Sequence, residues 1–280
     1  MDHQQLYDKT TLECSKLITQ RYSTSFALSI RTLAKKYHQA IYAVYGFVRY
    51  ADEIVDTFHD KDKRGLLEQF KADTYMAIEE QISLNPILHA FQMIVHQYKI
   101  ESELIDAFLH SMAMDLDKSD YNEDSYQTYI YGSAEVVGLM CLRIFCEGDS
   151  EQYEHLKPSA RRLGAAFQKV NFLRDIKSDF DDRGRTYFPG VDFQHFTNED
   201  KILIEKDIEE DFAASLIGIK QLPEGAKLGV YMAYIYYQKL FKKIKQLPPQ
   251  RIQEERIRIP DFRKLLLLIG TYFKHRIKAI

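Results

Sequence analysis

The distribution of proline constrains this chain most. Its seven prolines stand at 86, 158, 189, 223, 248, 249 and 260, and proline in a helix interior removes a hydrogen bond and clashes with the preceding turn. Placed at the edges of long uninterrupted stretches, they leave several segments free to run as helices. Within those stretches apolar residues return every three or four positions. Ile41, Val44, Tyr45, Val48, Ile54 and Val55 trace one such face, and Leu163, Ala166, Val170 and Leu173 another. Alternating strand patterns bounded by Asn-Gly or Asp-Gly turns are absent. The periodicity predicts helices over residues 31–57, 62–80, 86–98, 101–116, 123–146, 150–181, 198–218, 224–246 and 261–278. With no Gly/Ser linker or composition shift, the expectation is one all-α domain over 1–280.

Composition narrows the function classes. Hydrophobic residues make up 45% of the 280, enough for a large core, and the net charge of −3 offers no basic field for nucleic acid. Cys14, Cys141 and Cys146 are odd in number and lack metal-site spacing, so they read as buried thiols in a reducing compartment. The polar N-terminus has no apolar signal core, and no run approaches the roughly 18 apolar residues of a bilayer span. A soluble protein is expected.

Two clusters carry chemistry. The first is Tyr45-Gly-Phe-Val-Arg49-Tyr-Ala-Asp52-Glu-Ile-Val-Asp56. Residues four apart share a helix face, so Asp52 and Asp56 lie one turn from each other, with Arg49 on the same face. Paired carboxylates suit Mg²⁺, which prefers oxygen and shares its shell with waters and substrate phosphates. A solvated acidic stripe would show the same spacing. The second cluster tips the balance: Asn171, Asp175 and Asp179 fall at i, i+4 and i+8, among apolar Val170, Phe172, Leu173 and Ile176. Carboxylates in apolar surroundings need a metal or cation beside them. Two such helices facing each other would grip a metal-bridged diphosphate, with arginines binding it in bidentate fashion.

Asn171-x-x-Arg174-Asp175-x-x-x-Asp179, followed by Arg183-Gly184-Arg185-Thr-Tyr187-Phe188-Pro189, resembles the second aspartate motif of the squalene/phytoene synthase family, and Arg49-x-x-Asp52-x-x-x-Asp56 resembles the first. Three further segments match: Ser23-Thr-Ser25-Phe26, Tyr129-Ile-Tyr131-Gly132 through Gly138, and Ile257-Arg258 through Lys264. The resemblance implies a class I isoprenoid synthase helical bundle around a central cavity, with Asp52, Asp56, Asn171, Asp175 and Asp179 holding Mg²⁺ (or Mn²⁺). It further implies that Tyr45, Arg49, Arg174, Tyr236 and Arg258 contact diphosphate oxygens. Ser23 and Phe26 join the substrate site, and Gln168 and Tyr131 lie near the reacting carbons, where an aromatic face steadies a cation without being alkylated. Arg183 and Arg185 would close over the site, unless they are surface charges paired with Asp181 and Asp182.

The implied activity is head-to-head condensation of two geranylgeranyl diphosphates to phytoene, without NADPH. The alternatives are squalene or dehydrosqualene from farnesyl diphosphate, and a non-catalytic assembly factor. Relatives of that last kind typically lose motif aspartates, which this chain retains. Chain length depends on the side chains that plug the far end of the cavity. A monomer in the cytoplasm is expected, touching the inner face of the membrane at most through its C-terminal Leu265–Leu268 stretch, for which core packing is the simpler reading. Glu135 departs from the small residues common in the family, and a carboxylate buried there needs a partner such as an arginine.

Overall fold

The computed structural model describes residues 2–117, 121–183, 187–192, 195–254 and 257, without the side chains of 178–183. The described residues form helices and no strands. They are α1 (His3–Tyr22), α2 (Thr24–Ile30), α3 (Lys35–Asp56), α4 (Lys63–Glu80), α5 (Pro86–Tyr98), α6 (Ser102–Asp117), α7 (Glu123–Ile130), a π-helical turn (Tyr131–Glu135), α8 (Val136–Cys146), α9 (Ser150–Arg183), α10 (Asn198–Gln221), α11 (Glu224–Lys245) and α12 (Pro249–Glu254). Local chemistry sets many of the starts. Asn85 caps α5 and Pro86 occupies its first turn, Asp62 caps α4, and Thr197 with Asp200 forms a capping box on α10.

The segments predicted between residues 31 and 246 are present, with shifted ends. One difference has a physical cause. Helices α1 and α2 were not expected, because α1 buries Thr11, Ser15 and Thr19 beside a single Leu12, a face with no apolar period. Pro158 lies inside α9, as the predicted span 150–181 already required, so it marks no helix edge as the other prolines were read to do. The predicted helix 261–278 and the stretch around Lys264 lie outside the described residues.

Two apolar cores organise the helices. In the first, Phe47 of α3 stacks on Phe91 of α5 with centroids 3.9 Å apart, and Phe70 and Phe108 close around it. In the second, Phe172 of α9 stacks on Tyr187 at 4.0 Å beside Tyr126, Tyr129 and Phe188. Between them runs a cavity walled by α2, α3, the π turn, α8, α9, α10 and α11.

The helical run Glu123–Cys146 corrects one expectation: by length and composition it could cross a membrane. In this fold 61% of its apolar window is buried inside the protein, so packing against α6 and α9 accounts for its composition. The cysteines also differ from the reading of three buried thiols. All three are unpaired, but only Cys146 is buried; Cys14 and Cys141 are half-buried, Cys141 because it faces the cavity.

The π turn is wedged between α6 and α9. A Cβ on Gly132 would sit 2.3 Å from the Ala107 carbonyl and 2.7 Å from the Ser111 Cβ. Gly132→Ala should therefore overpack the seam and cost about 1–3 kcal/mol, read as a lower urea midpoint with an unchanged slope; an unchanged midpoint would contradict this packing.

Candidate active site

Helix α3 turns Val44, Phe47, Ala51, Ile54 and Val55 into the first core, which leaves Tyr45, Arg49, Asp52 and Asp56 half-buried on its other side. Arg49 is held tightly there. Its guanidinium lies 4.4 Å over the Tyr22 ring, pairs with Glu53 and reaches Asp52 at 4.0 Å, while its Nε is buried without a partner. Burial pushes the Tyr45 phenol up to about 12, partly offset by Arg49. Ser23 is among the groups that lower that phenol's pKa, and it accepts the Phe26 N–H at 3.2 Å as the cap of α2.

Helix α9 supplies the facing wall. Arg174 donates from Nε to Asp175 Oδ1 at 3.0 Å and from Nη2 to Oδ2. Burial would lower the guanidinium's pKa, but the bonds and charge of Asp175 outweigh it and hold the group protonated. Asn171 accepts from the Tyr237 hydroxyl of α11 at 3.2 Å, and Tyr237 stacks on Phe167 at 3.9 Å. Burial raises Tyr237's pKa too, and Arg174 opposes the rise. Tyr237 is also among the groups that raise Tyr45's pKa. Tyr236 lies edge-on to Tyr237 at 5.5 Å and acts on Arg174.

Beyond these groups lies a cavity of about 240 Å³. Its wall is almost wholly apolar, and Phe26 and Gln168 belong to it. The site thus pairs a polar mouth with a greasy interior, the form an amphiphile with an anionic head requires.

Among the described residues, no three His, Cys, Asp or Glu side chains cluster closely enough to hold a metal alone. The described carboxylates come instead in oxygen-only sets on two walls, which suits Mg²⁺ sharing its shell with phosphate oxygens. The unpartnered Arg49 Nε likewise calls for an acceptor from a ligand.

Residues 19–263 match the family model described as squalene/phytoene synthase. The chain belongs to the squalene/phytoene synthase family. It is an enzyme of the prenyltransferase type that acts on allylic diphosphates. A phytoene synthase of Arthrospira platensis is 24% identical, over 95% of this chain and 93% of that one. A 4,4'-diapophytoene synthase of Staphylococcus haemolyticus is 27% identical, over 69% and 66%. A dehydrosqualene synthase solved with a ligand superposes over the full length of both chains with a TM-score of 0.82 at 22% identity, which establishes the squalene/phytoene synthase fold.

In this squalene/phytoene synthase the sequence-predicted residues divide three ways. Tyr45, Arg49, Asp52, Asp56, Gln168, Asn171, Arg174, Asp175 and Tyr236 lie on the two walls and α11, with Ser23 and Phe26 beside them. Asp179 and Arg183 lie on α9 with side chains outside those described, and Arg185 and Arg258 lie outside the described residues. Tyr131 lies on the π turn. The cavity wall there is formed by Ser133, Ala134 and Val137, while the Tyr131 ring packs against the first core with the Arg161 guanidinium 5.1 Å over its face. Glu135 is buried, and Arg161 is the partner it needs, Nε donating to Oε2 at 2.5 Å. Tyr237 and Tyr22 were missed: nothing in the sequence separates Tyr237 from its neighbour Tyr236, and Tyr22 sits outside both motifs.

Arg161→Ala should strand the buried Glu135 carboxylate and cost about 1–3 kcal/mol in a thermal or urea melt. Adding Glu135→Gln should recover most of the loss. A single variant as stable as the parent would remove the pairing's structural role.

Proposed function

We propose that this enzyme joins two geranylgeranyl diphosphates head to head to make phytoene, with Mg²⁺ and without NADPH. The observation that carries the reading is the pair of carboxylate–arginine walls at the mouth of an apolar cavity. The retained motif aspartates support catalysis over a purely structural role. Phytoene synthases align along nearly the whole chain, which favours the longer substrate.

Asp52, Asp56, Asn171, Asp175 and Asp179 would hold the metal, and when bound it would supply charge neutralisation for the departing diphosphate. Arg49 and Arg174 bind and orient that diphosphate, with Arg258 in the same role. Tyr45 and Tyr236 donate to its oxygens through their phenol hydroxyls. One substrate then loses diphosphate, and its allylic cation is attacked by the double bond of the second. Loss of one proton gives a cyclopropylcarbinyl diphosphate. That intermediate ionises in turn, rearranges and loses a proton to leave a conjugated triene. The apolar wall, with Phe26 and Gln168, keeps water from the cations.

The test is incubation of the purified protein with Mg²⁺ and labelled geranylgeranyl or farnesyl diphosphate, without NADPH, followed by product identification. Phytoene from the geranylgeranyl substrate is expected. Dehydrosqualene from farnesyl diphosphate with little phytoene would keep the chemistry and overturn the chain length. Asp52→Ala and Asp175→Ala should each lower turnover by about 10²–10³-fold or more, with helical content unchanged by circular dichroism. Near-normal activity in both variants would remove the metal-site assignment.

A further inference from the structure

The cavity has a built end. Along α9 its wall runs from Gln168, near the mouth, to Leu156, twelve residues away, or about 18 Å at 1.5 Å per residue. Along the π turn and α8 it runs from Ser133 to Phe145, again twelve residues and about 18 Å. The two helices run antiparallel, Gly164 meeting Ala134 and Gly138 meeting Ala160, so Leu156 falls level with Leu142 and Phe145 lies about three residues deeper; all three, with Leu222, are buried.

Phe145 differs from its aliphatic neighbours in being clamped from behind. Tyr37, 1% exposed, meets it edge to face with centroids 5.4 Å apart. The Tyr37 hydroxyl donates to Glu147 Oε1 at 2.7 Å and lies 3.3 Å from the Phe145 carbonyl, so the clamp reaches both the ring and the backbone. Glu147 ends α8 at φ 49, a left-handed conformation that favours glycine or asparagine. A glutamate is held there with its carboxylate on Tyr37 and on the Lys36 ammonium. Strained residues persist where the surroundings over-determine them. Here the surroundings fix the floor of the cavity.

We propose that Phe145, held by Tyr37 and Glu147, is the stop that sets the longest prenyl chain this cavity accepts, admitting geranylgeranyl and excluding the chain one isoprene unit longer. The proposal rests on the function proposed above and names its specificity-determining residue. A rigid stop gives a sharp cut-off, because an over-long chain must either shift a clamped ring or leave its head group short of the arginines.

The experiment measures binding of farnesyl, geranylgeranyl and geranylfarnesyl S-thiolodiphosphates with Mg²⁺ by calorimetry; these analogues resist ionisation, so turnover is not needed. The intact enzyme should bind the geranylgeranyl analogue best and the geranylfarnesyl one at least about tenfold more weakly, since apolar pockets discriminate by that much over even small length differences. Phe145→Ala should close most of that gap. Tyr37→Phe, which keeps the volume and drops the tether, should narrow it less. Should Phe145→Ala fail to fold, Phe145→Leu gives the same comparison with a smaller opening. A cut-off unchanged in the Phe145 variants, or no cut-off in the intact enzyme, overturns the stop. A cut-off that moves with Phe145 in a protein that couples neither substrate keeps the stop and removes the condensation reading.

Discussion

The structure depends on holding cations and carboxylates half-buried at the rim of an apolar space. Charged groups taken from water are stable only when paired with good geometry, and the chain meets that demand locally. Arg174 forks onto its own neighbour Asp175, and Arg49 pairs with Glu53 while stacking on Tyr22. These pairings keep the wall intact before any ligand arrives, yet leave acceptor demand such as the Arg49 Nε. A metal-bridged diphosphate satisfies carboxylates and guanidiniums together, which neither a bare cation nor a bare anion would do.

Rigidity behind the walls makes that arrangement useful. The longest helix, α9, packs along α10, where buried Lys169 bonds Asp211 at 2.7 Å and Arg162 bonds the same carboxylate from the other side. On its cavity side Gly164 lets the π turn approach so closely that a Cβ would sit 2.7 Å from the Ala134 carbonyl. Gripped on both sides, α9 can hold Asn171 and Asp175 at fixed positions, and preorganised polar groups are the larger part of what such sites contribute to rate. Residues far from the chemistry thereby set its geometry.

Much of this was legible in the sequence, and the particular failures are instructive. Carboxylates at i, i+4 beside a strong apolar face marked α3 and α9 because a single period encodes both burial and ligand alignment. Helix α1 escaped because its buried face is made of small hydroxyl residues, which carry no hydrophobic signal. Glu135 was read as needing an arginine, and Arg161 is that arginine, since an unpaired buried charge is too costly to leave. The choice between Tyr236 and Tyr237 depends on the rotation of α11, which packing decides rather than local propensity.

The central claim is that α3 and α9 grip one diphosphate between them. A double-mutant cycle on Mg²⁺–pyrophosphate binding, with Asp52→Asn, Asp175→Asn and the pair, tests it most directly by calorimetry. If both walls share one ligand, each single variant should remove most of the binding and the double little more, giving a coupling energy on the order of 1 kcal/mol or greater. Strictly additive losses, with each wall binding pyrophosphate independently of the other, would contradict the account.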